Sequence, residues 1–319
     1  MLTDNLYDQI LLQPSIASNR LFIVSGYASA TFLNRHILDL KKFRQDFKIC
    51  LIIGMPFRYA DHIAYLRLIQ EYQDNFIGFY YKGSVPVHSK AYAWYDNDKE
   101  SIAFCGSANY SQYGFFSTKQ INQMSRENVN SVKEFYESLL PNSIPITAIE
   151  TSIEIDEEIP HLSSSIPNGT IYWVDENTVV ISFLTKMGIL PEKSGLNWGH
   201  RFEKKRNKSG DIFYEKRHPA EAYLSLRLDS RKEGFLPEKA YTFSLITDDN
   251  ESFDCVVAQQ GRKAIETTND NRELGKYIRK RLNLNEDAFI TAQDLIDYGR
   301  TDYTIKKIDE ETFLFDFSI

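Results

Sequence analysis

Apolar positions along the first half of the chain follow two rhythms. Residues 20–26, 48–54 and 76–81 are strand-length runs dominated by apolar side chains, as expected for strands covered on both faces. Between them, Phe32, Leu33, Ile37, Leu38 and Leu40 recur with helical spacing and predict a helix over 30–43, and a second helix is predicted over 62–72. Two more strands follow, one through 87–94 and one carrying Ile102, Ala103 and Phe104, and then a helix over 132–140. This alternation predicts an α/β unit.

The second half changes character. Strand patterns dominate at 170–183, 222–228, 241–247, 252–259 and 312–317, and helix patterns appear only at 272–282 and 291–298. Turn residues punctuate it at Asp248-Asp249-Asn250, at Gly261 and at Asn269-Asp270-Asn271. A mainly-β, barrel-like domain with a few helices is the simplest expectation. Between the halves lies an acidic run of Glu150, Glu154, Asp156, Glu157 and Glu158, followed by Ser163-Ser164-Ser165 and Pro167-Asn168-Gly169. We therefore expect domains at 1–150 and 170–319 joined by an acidic linker at 151–169. Two readings of that linker stay open: a solvated connection, or a segment that occupies a basic catalytic cleft in place of DNA.

Composition narrows the class. With 42% hydrophobic and 13% aromatic residues in 319, the chain has the makings of two full cores and is not a disordered protein. Met1-Leu2-Thr3-Asp4-Asn5 lacks a basic stretch followed by an apolar core, and no apolar run is long enough to span a membrane. Cys50, Cys105 and Cys255 are widely separated and form no C-x-x-C pair. A cytoplasmic protein without a membrane role or a zinc site is expected. The net charge of −7 argues mildly against a general nucleic-acid coat but leaves local basic patches to decide the matter.

The candidate chemistry sits on the strand at 87–94. His88 and Lys90 are two residues apart and would share a face, and the next strand ends in Gly106-Ser107-Ala108-Asn109. Histidine can attack phosphorus and lysine can neutralise a phosphate oxygen. The amides and side chains of a Gly-Ser-Ala-Asn turn can hold the remaining oxygens. His88-x-Lys90 with Gly106-Ser107-Ala108-Asn109 resembles the H-x-K…G-S-x-N signature of the phospholipase D superfamily. Tyr95 stands where that superfamily often has an aspartate. Gln120 and Gln123 stand near its usual glutamate, with Glu127 as the candidate for acidic support.

Basic residues gather in two places in the second half. Asn197, Trp198, His200, Arg201, Lys204, Arg206 and Arg217 form the first group. Gln259, Arg262, Lys263, Asn269, Arg272, Arg279 and Arg281 form the second. Such mixtures of cations and amides suit phosphate contacts and base edges, although charged clusters are more often solvated loops. The segment Ser194-Gly195-Leu196-Asn197-Trp198-Gly199-His200-Arg201, then Pro219-Ala220-Glu221-Ala222-Tyr223, resembles the C-terminal part of NgoFVII-type restriction endonucleases. So do Thr247-Asp248-Asp249, residues 259–265 and residues 274–282. The resemblance implies a phospholipase-D-like nuclease domain followed by a B3-like DNA-binding pseudobarrel. Its N-arm would come from 197–217 and its C-arm from 259–281.

The resemblance also implies a metal-independent, sequence-specific cleavage of double-stranded DNA through a covalent phosphohistidine. A site of this class uses two histidines, and of the six histidines here only His88 is followed by x-Lys. We therefore expect a homodimer sharing one active site, with no cofactor. A cognate methyltransferase belongs to such a system, and the absence of a Walker A motif means that any ATP dependence would need a separate ATPase or helicase-like subunit. Three rivals remain. They are a lipid-processing enzyme of the same chemistry, a metal-dependent nuclease built on Glu203-Lys204-Lys205, and a non-enzymatic DNA-binding regulator with a degenerate nuclease domain.

Overall fold

The computed structural model describes residues 1–56, 58–96, 99–116, 120–149, 166–226, 234–239 and 241–319. It separates into two compact units, 1–156 and 157–319. The acidic run and the triple serine of the linker lie outside the described residues.

The first unit is a seven-stranded sheet in the order β6-β5-β4-β1-β2-β3-β7. Its strands are β1 (Arg20–Ser25), β2 (Lys48–Ile53), β3 (Phe76–Tyr81), β4 (Lys90–Asp96), β5 (Lys99–Gly106), β6 (Met124–Glu127) and β7 (Ser143–Pro145). β1, β2 and β3 run parallel, linked by α1 (Ala30–Lys41) and α2 (Tyr59–Glu71), while β4 pairs antiparallel with β1. Helix α1 starts where the Ser29 hydroxyl accepts the Phe32 amide, and it buries Phe32, Leu33, Ile37 and Leu40. A short α3 (Gln112–Phe115) follows β5, and α4 (Val129–Leu139) packs Val129, Val132, Tyr136 and Leu139 on Val24, Ile52, Ala91, Ala93 and Tyr95. The helix expected at 132–140 thus begins earlier, because Asn128 caps it by accepting the Ser131 amide at 3.0 Å.

The second unit carries an eight-stranded sheet in the order β12-β15-β14-β13-β17-β16-β9-β8. These are β8 (Ile171–Trp173), β9 (Thr178–Ser182), β12 (Leu224–Ser225), β13 (Thr242–Thr247), β14 (Ser252–Ala258), β15 (Ala264–Thr267), β16 (Asp302–Lys307) and β17 (Thr312–Asp316). The pairings are antiparallel except β13 with β17, so the sheet is mixed. Helices α5 (Arg272–Arg281) and α6 (Ala292–Tyr298) accompany it, and Leu274, Tyr277 and Ile278 of α5 join the core with Phe243, Leu245 and Phe315. The single strand expected at 170–183 is two strands paired as a hairpin. A further hairpin, β10 (Phe202–Arg206) with β11 (Ile212–Lys216), forms its own two-stranded sheet. The stretch, expected as part of the N-arm, carries no strand signal in sequence because its strands are exposed on both sides.

Candidate active site and nucleic-acid face

Pairing of β4 with β1 places the amino end of β4 at the carboxyl ends of the parallel strands, with Lys90 opposite Ser25. His88 lies in the extended segment just before β4 rather than on it. That segment is clamped from below: Gly26 N–H donates to Ser89 O at 3.0 Å, and Val87 N–H donates to Gly54 O at 2.9 Å. Both glycines are needed for closeness. A Cβ on Gly26 would lie 2.8 Å from Cδ2 of His88, and one on Gly54 would lie 2.1 Å from the Val87 carbonyl oxygen.

Lys90 is 8% exposed, while His88 is exposed. The lysine Nζ donates to the His88 carbonyl at 2.7 Å and lies 3.1 Å and 3.2 Å from Nδ1 and Nε2 of the same residue. Burial pulls the Lys90 pKa below the ordinary lysine value, so a cation is held here at some cost in hydration. Asn109 reaches the same end of the sheet on the turn after β5. Its Oδ1 accepts the Tyr27 amide at 3.4 Å, and the Tyr27 ring meets His88 edge-on at 5.8 Å. Tyr27 therefore touches both candidate groups.

The Asn109 turn is anchored from behind. Ala28 bridges Tyr110, Tyr110 N–H donates to Ser25 Oγ at 2.9 Å, and the Tyr110 hydroxyl donates to Nδ1 of buried His36 at 2.7 Å. Nε2 of His36 faces the Leu11 carbonyl at 3.3 Å, which fixes the proton on Nε2, and burial lowers the His36 pKa to about 4.

Ser107, Gly106 and Glu127 are the other residues expected at this site. The Ser107 amide donates to Gln123 O, and its hydroxyl accepts the Gln123 amide and donates to Asn122 Oδ1, so Ser107 ties down its loop instead of offering groups to an anion. Gly106 is exposed, and its missing Cβ makes room for the Gln123 carbonyl, 2.0 Å from where that atom would lie. Glu127 pairs with Ala103, whose side chain belongs to the α4 side of the sheet, whereas Lys90 precedes Ala91 of that same side and so points the other way. Glu127 lines a cavity of about 370 Å³ that Lys90 and Gly106 also line, together with Cys105, Ser131 and Phe135. Tyr95, at the usual aspartate position, is buried and donates to Val129 O at 3.1 Å.

The second unit divides the predicted DNA contacts into two groups. Several are interior. Asn197 is fully buried and exchanges hydrogen bonds with Ile290, donating to its carbonyl at 2.7 Å and accepting its amide at 2.9 Å. Arg279 is also fully buried and donates to the carbonyls of Ala288, Gly275, Leu196 and Pro219. Arg281 forks onto Asp248 at 2.9–3.0 Å and reaches Tyr298 and Phe317 O. Arg262 has φ +56° and caps the Leu236 and Pro237 carbonyls, and Gln259 donates to Glu266 at 2.7 Å. Trp198 is buried beneath Arg217, whose guanidinium stacks at 3.6 Å and also pairs with Glu203 and Glu221. These side chains make the hydrogen bonds and ion pairs just described inside the protein, while Nε1 of Trp198 and Nε of Arg262 are buried without a hydrogen-bond partner among the described residues.

The remaining candidates face water or the surface. Lys204, Arg206, Lys263, Asn269 and Arg272 are exposed, with Arg272 ion-paired to Asp270. His200 and Arg201 are half-buried; the His200 ring meets Phe289 edge-on at 5.2 Å, and burial together with Arg279 lowers its pKa. Among the described residues no three His, Cys, Asp or Glu side chains are grouped as a metal set, and no helix is long and apolar enough to cross a membrane.

Comparison with family models accounts for both units. Residues 4–154 match the NgoFVII restriction endonuclease N-terminal PLD domain, and residues 171–309 match the NgoFVII C-terminal B3-like DNA-binding domain. The chain belongs to the NgoFVII restriction endonuclease family. No protein of curated function matches it. Among solved structures, NucT from Helicobacter pylori is similar at 16% identity and a TM-score of 0.31, over 42% of this chain and 87% of NucT.

The NgoFVII family match therefore assigns the first unit as a PLD-like nuclease domain and the second as a B3-like domain that takes double-stranded DNA. Within the nuclease domain, sequence reading missed Gly26, Tyr27 and Gly54. The available signal was a glycine directly after each of two apolar strands, the place where α/β sheets open their binding crevice.

Proposed function

We propose that this NgoFVII-family chain cuts duplex DNA at specific sequences without a metal, through a phosphohistidine on His88. The observation that carries the reading is the gathering of His88, Lys90 and Asn109 at the carboxyl end of β1, around Tyr27. Nucleophile, cation and amide are the equipment for a phosphodiester, and the B3-like domain supplies the DNA.

One H-x-K motif furnishes one histidine, while the chemistry needs two. A homodimer that shares one site meets that need. Three exposed apolar side chains, Tyr27 (49%), Val85 (75%) and Ile121 (90%), stand on the connections at the His88 end of the sheet and suit a contact between copies there. In the first step an unprotonated ring nitrogen of His88 bonds to phosphorus as the bond to the leaving oxygen breaks. The partner subunit's His88, protonated, gives that oxygen its proton. Lys90 and Asn109 stabilise charge on the nonbridging oxygens. Water, losing its proton to the second histidine, then displaces His88 from phosphorus. The two histidines need opposite protonation states.

The test is cleavage of mixed-sequence plasmid DNA in excess EDTA, wild type beside His88→Ala. Discrete fragments from the wild type alone are expected, and wild-type and His88→Ala subunits mixed into heterodimers should be inactive. Cleavage that needs added metal would overturn the mechanism, and active heterodimers would overturn the shared site.

A further inference from the structure

The β10–β11 hairpin has two chemically different faces. Paired residues of an antiparallel ribbon share a face, and the face alternates along each strand. The register Phe202↔Lys216, Lys204↔Tyr214 and Arg206↔Ile212 therefore puts these six side chains on one side. Glu203, Glu215, Lys205 and Phe213 fall on the other.

The charges are partitioned as sharply as the shapes. On the second face Lys205 pairs with Glu215, and Glu203 pairs with Arg217 at 2.9 Å, so its cations and carboxylates answer one another. On the first face Lys204, Arg206 and Lys216 have no ion pair among the described residues, and no carboxylate shares that face. Each rung of this face couples one cation with one apolar side chain left in water: Phe202 is 66% exposed, Ile212 47% and Tyr214 66%. Unpaired cations interleaved with apolar groups suit a polyanion that also has flat apolar surface, which is nucleic acid.

The hairpin's size fits as well. Five residues per strand extend roughly 17 Å at about 3.3 Å per residue, and the major groove, about 12 Å wide, admits a two-stranded ribbon. At its root, Arg217 stacks on Trp198 and pairs with Glu203 and Glu221, which ties the ribbon to the domain.

We propose that the hairpin meets duplex DNA with one face only, Lys204, Arg206 and Lys216 holding phosphates while Tyr214, Phe202 and Ile212 pack against base edges and contribute sequence preference. This rests on the DNA-binding reading of the B3-like domain and specifies which side chains carry it. All substituted positions are solvent-exposed, so folding should be retained, with thermal melting as the control. The probes are a labelled mixed-sequence duplex, titrated by anisotropy at several salt concentrations, and a randomised duplex pool from which each full-length variant selects.

Lys204→Gln, Arg206→Gln and Lys216→Gln together should weaken binding to all sequences and flatten the dependence of log affinity on log salt by about 0.9 for each phosphate released. Tyr214→Ala should weaken the selected duplex about tenfold and erase preference at one position, leaving the salt slope unchanged. Phe213→Ala and Lys205→Gln should alter neither. Equal losses from the two faces would overturn the one-faced contact. Wild-type binding untouched by any variant would remove the hairpin from the interface while sparing the DNA-binding reading, and failure of the wild type to bind duplex would remove that reading itself.

Discussion

Replacing Gly26 by alanine puts one methyl group where His88 now packs. An ideal Cβ there lies 2.8 Å from Cδ2 of the His88 ring and 3.2 Å from its Cα. Carbon atoms prefer separations of about 3.5 Å or more, so the ring must give way by about 0.7 Å and the backbone by a smaller amount. The backbone cannot drift freely, because the Gly26 amide to Ser89 O and the Val87 amide to Gly54 O hold the segment on either side. Gly26 is not among the residues with positive φ, so alanine meets no backbone penalty and the effect is steric. Overpacking of this kind costs about 1–3 kcal/mol of stability, and Gly26→Ala should sit near the lower end because the exposed ring can swing outward. A reacting group displaced by about 1 Å can lose on the order of a hundredfold in rate, so we expect a loss between tenfold and a hundredfold. The assay is single-turnover DNA cleavage in EDTA, run beside urea unfolding and duplex-binding titrations. Duplex affinity should stay unchanged. A folded Gly26→Ala protein that cleaves at the wild-type rate would refute the claim that this glycine aims His88.

Three further outcomes follow from buried groups. His36 titrates near 4 when folded against an ordinary 6.5, so its contribution is fully present above about pH 6.5 and is lost as pH falls toward 4; the swing is about 3 kcal/mol, and urea unfolding across this range should flatten in His36→Gln. Arg279→Met strips four backbone carbonyls of their shared donor and should cost about 3–5 kcal/mol in thermal or urea unfolding, while a variant that keeps its stability and loses DNA affinity would contradict the interior role. Lys90 has a lowered pKa, so the ammonium discharges earlier on the alkaline side than an ordinary lysine; Lys90→Arg should lower the cleavage plateau and move the alkaline limb of the pH–rate profile upward, and an unmoved limb would assign that limb to another group.

Much of this protein was legible in its residues. The strands at 76–81 and 242–247 and the helix at 272–281 arise from local apolar spacing, which needs no knowledge of distant partners. His88, Lys90 and Asn109 could be read together because two adjacent antiparallel strands bring their segments close at short sequence separation. The functions of the polar residues in the second half could not be read in the same way. Arg279 looks like a DNA contact in sequence, yet its acceptors include Leu196 and Pro219, which are 83 and 60 positions away, and only the folded chain delivers those carbonyls. Asn197 with Ile290 is the same case, 93 positions apart. The hairpin at 202–216 had the opposite fault: both its faces meet water, so its strands carry no hydrophobic alternation, and cross-strand pairing alone separates its cationic face from its ion-paired one. The sequence by itself determined which chemical groups were present and the order of the two domains, since these depend on residue identity and local period. Tertiary structure decided which cations are satisfied inside and which still face solvent, because burial is set by partners that only long-range packing brings into contact.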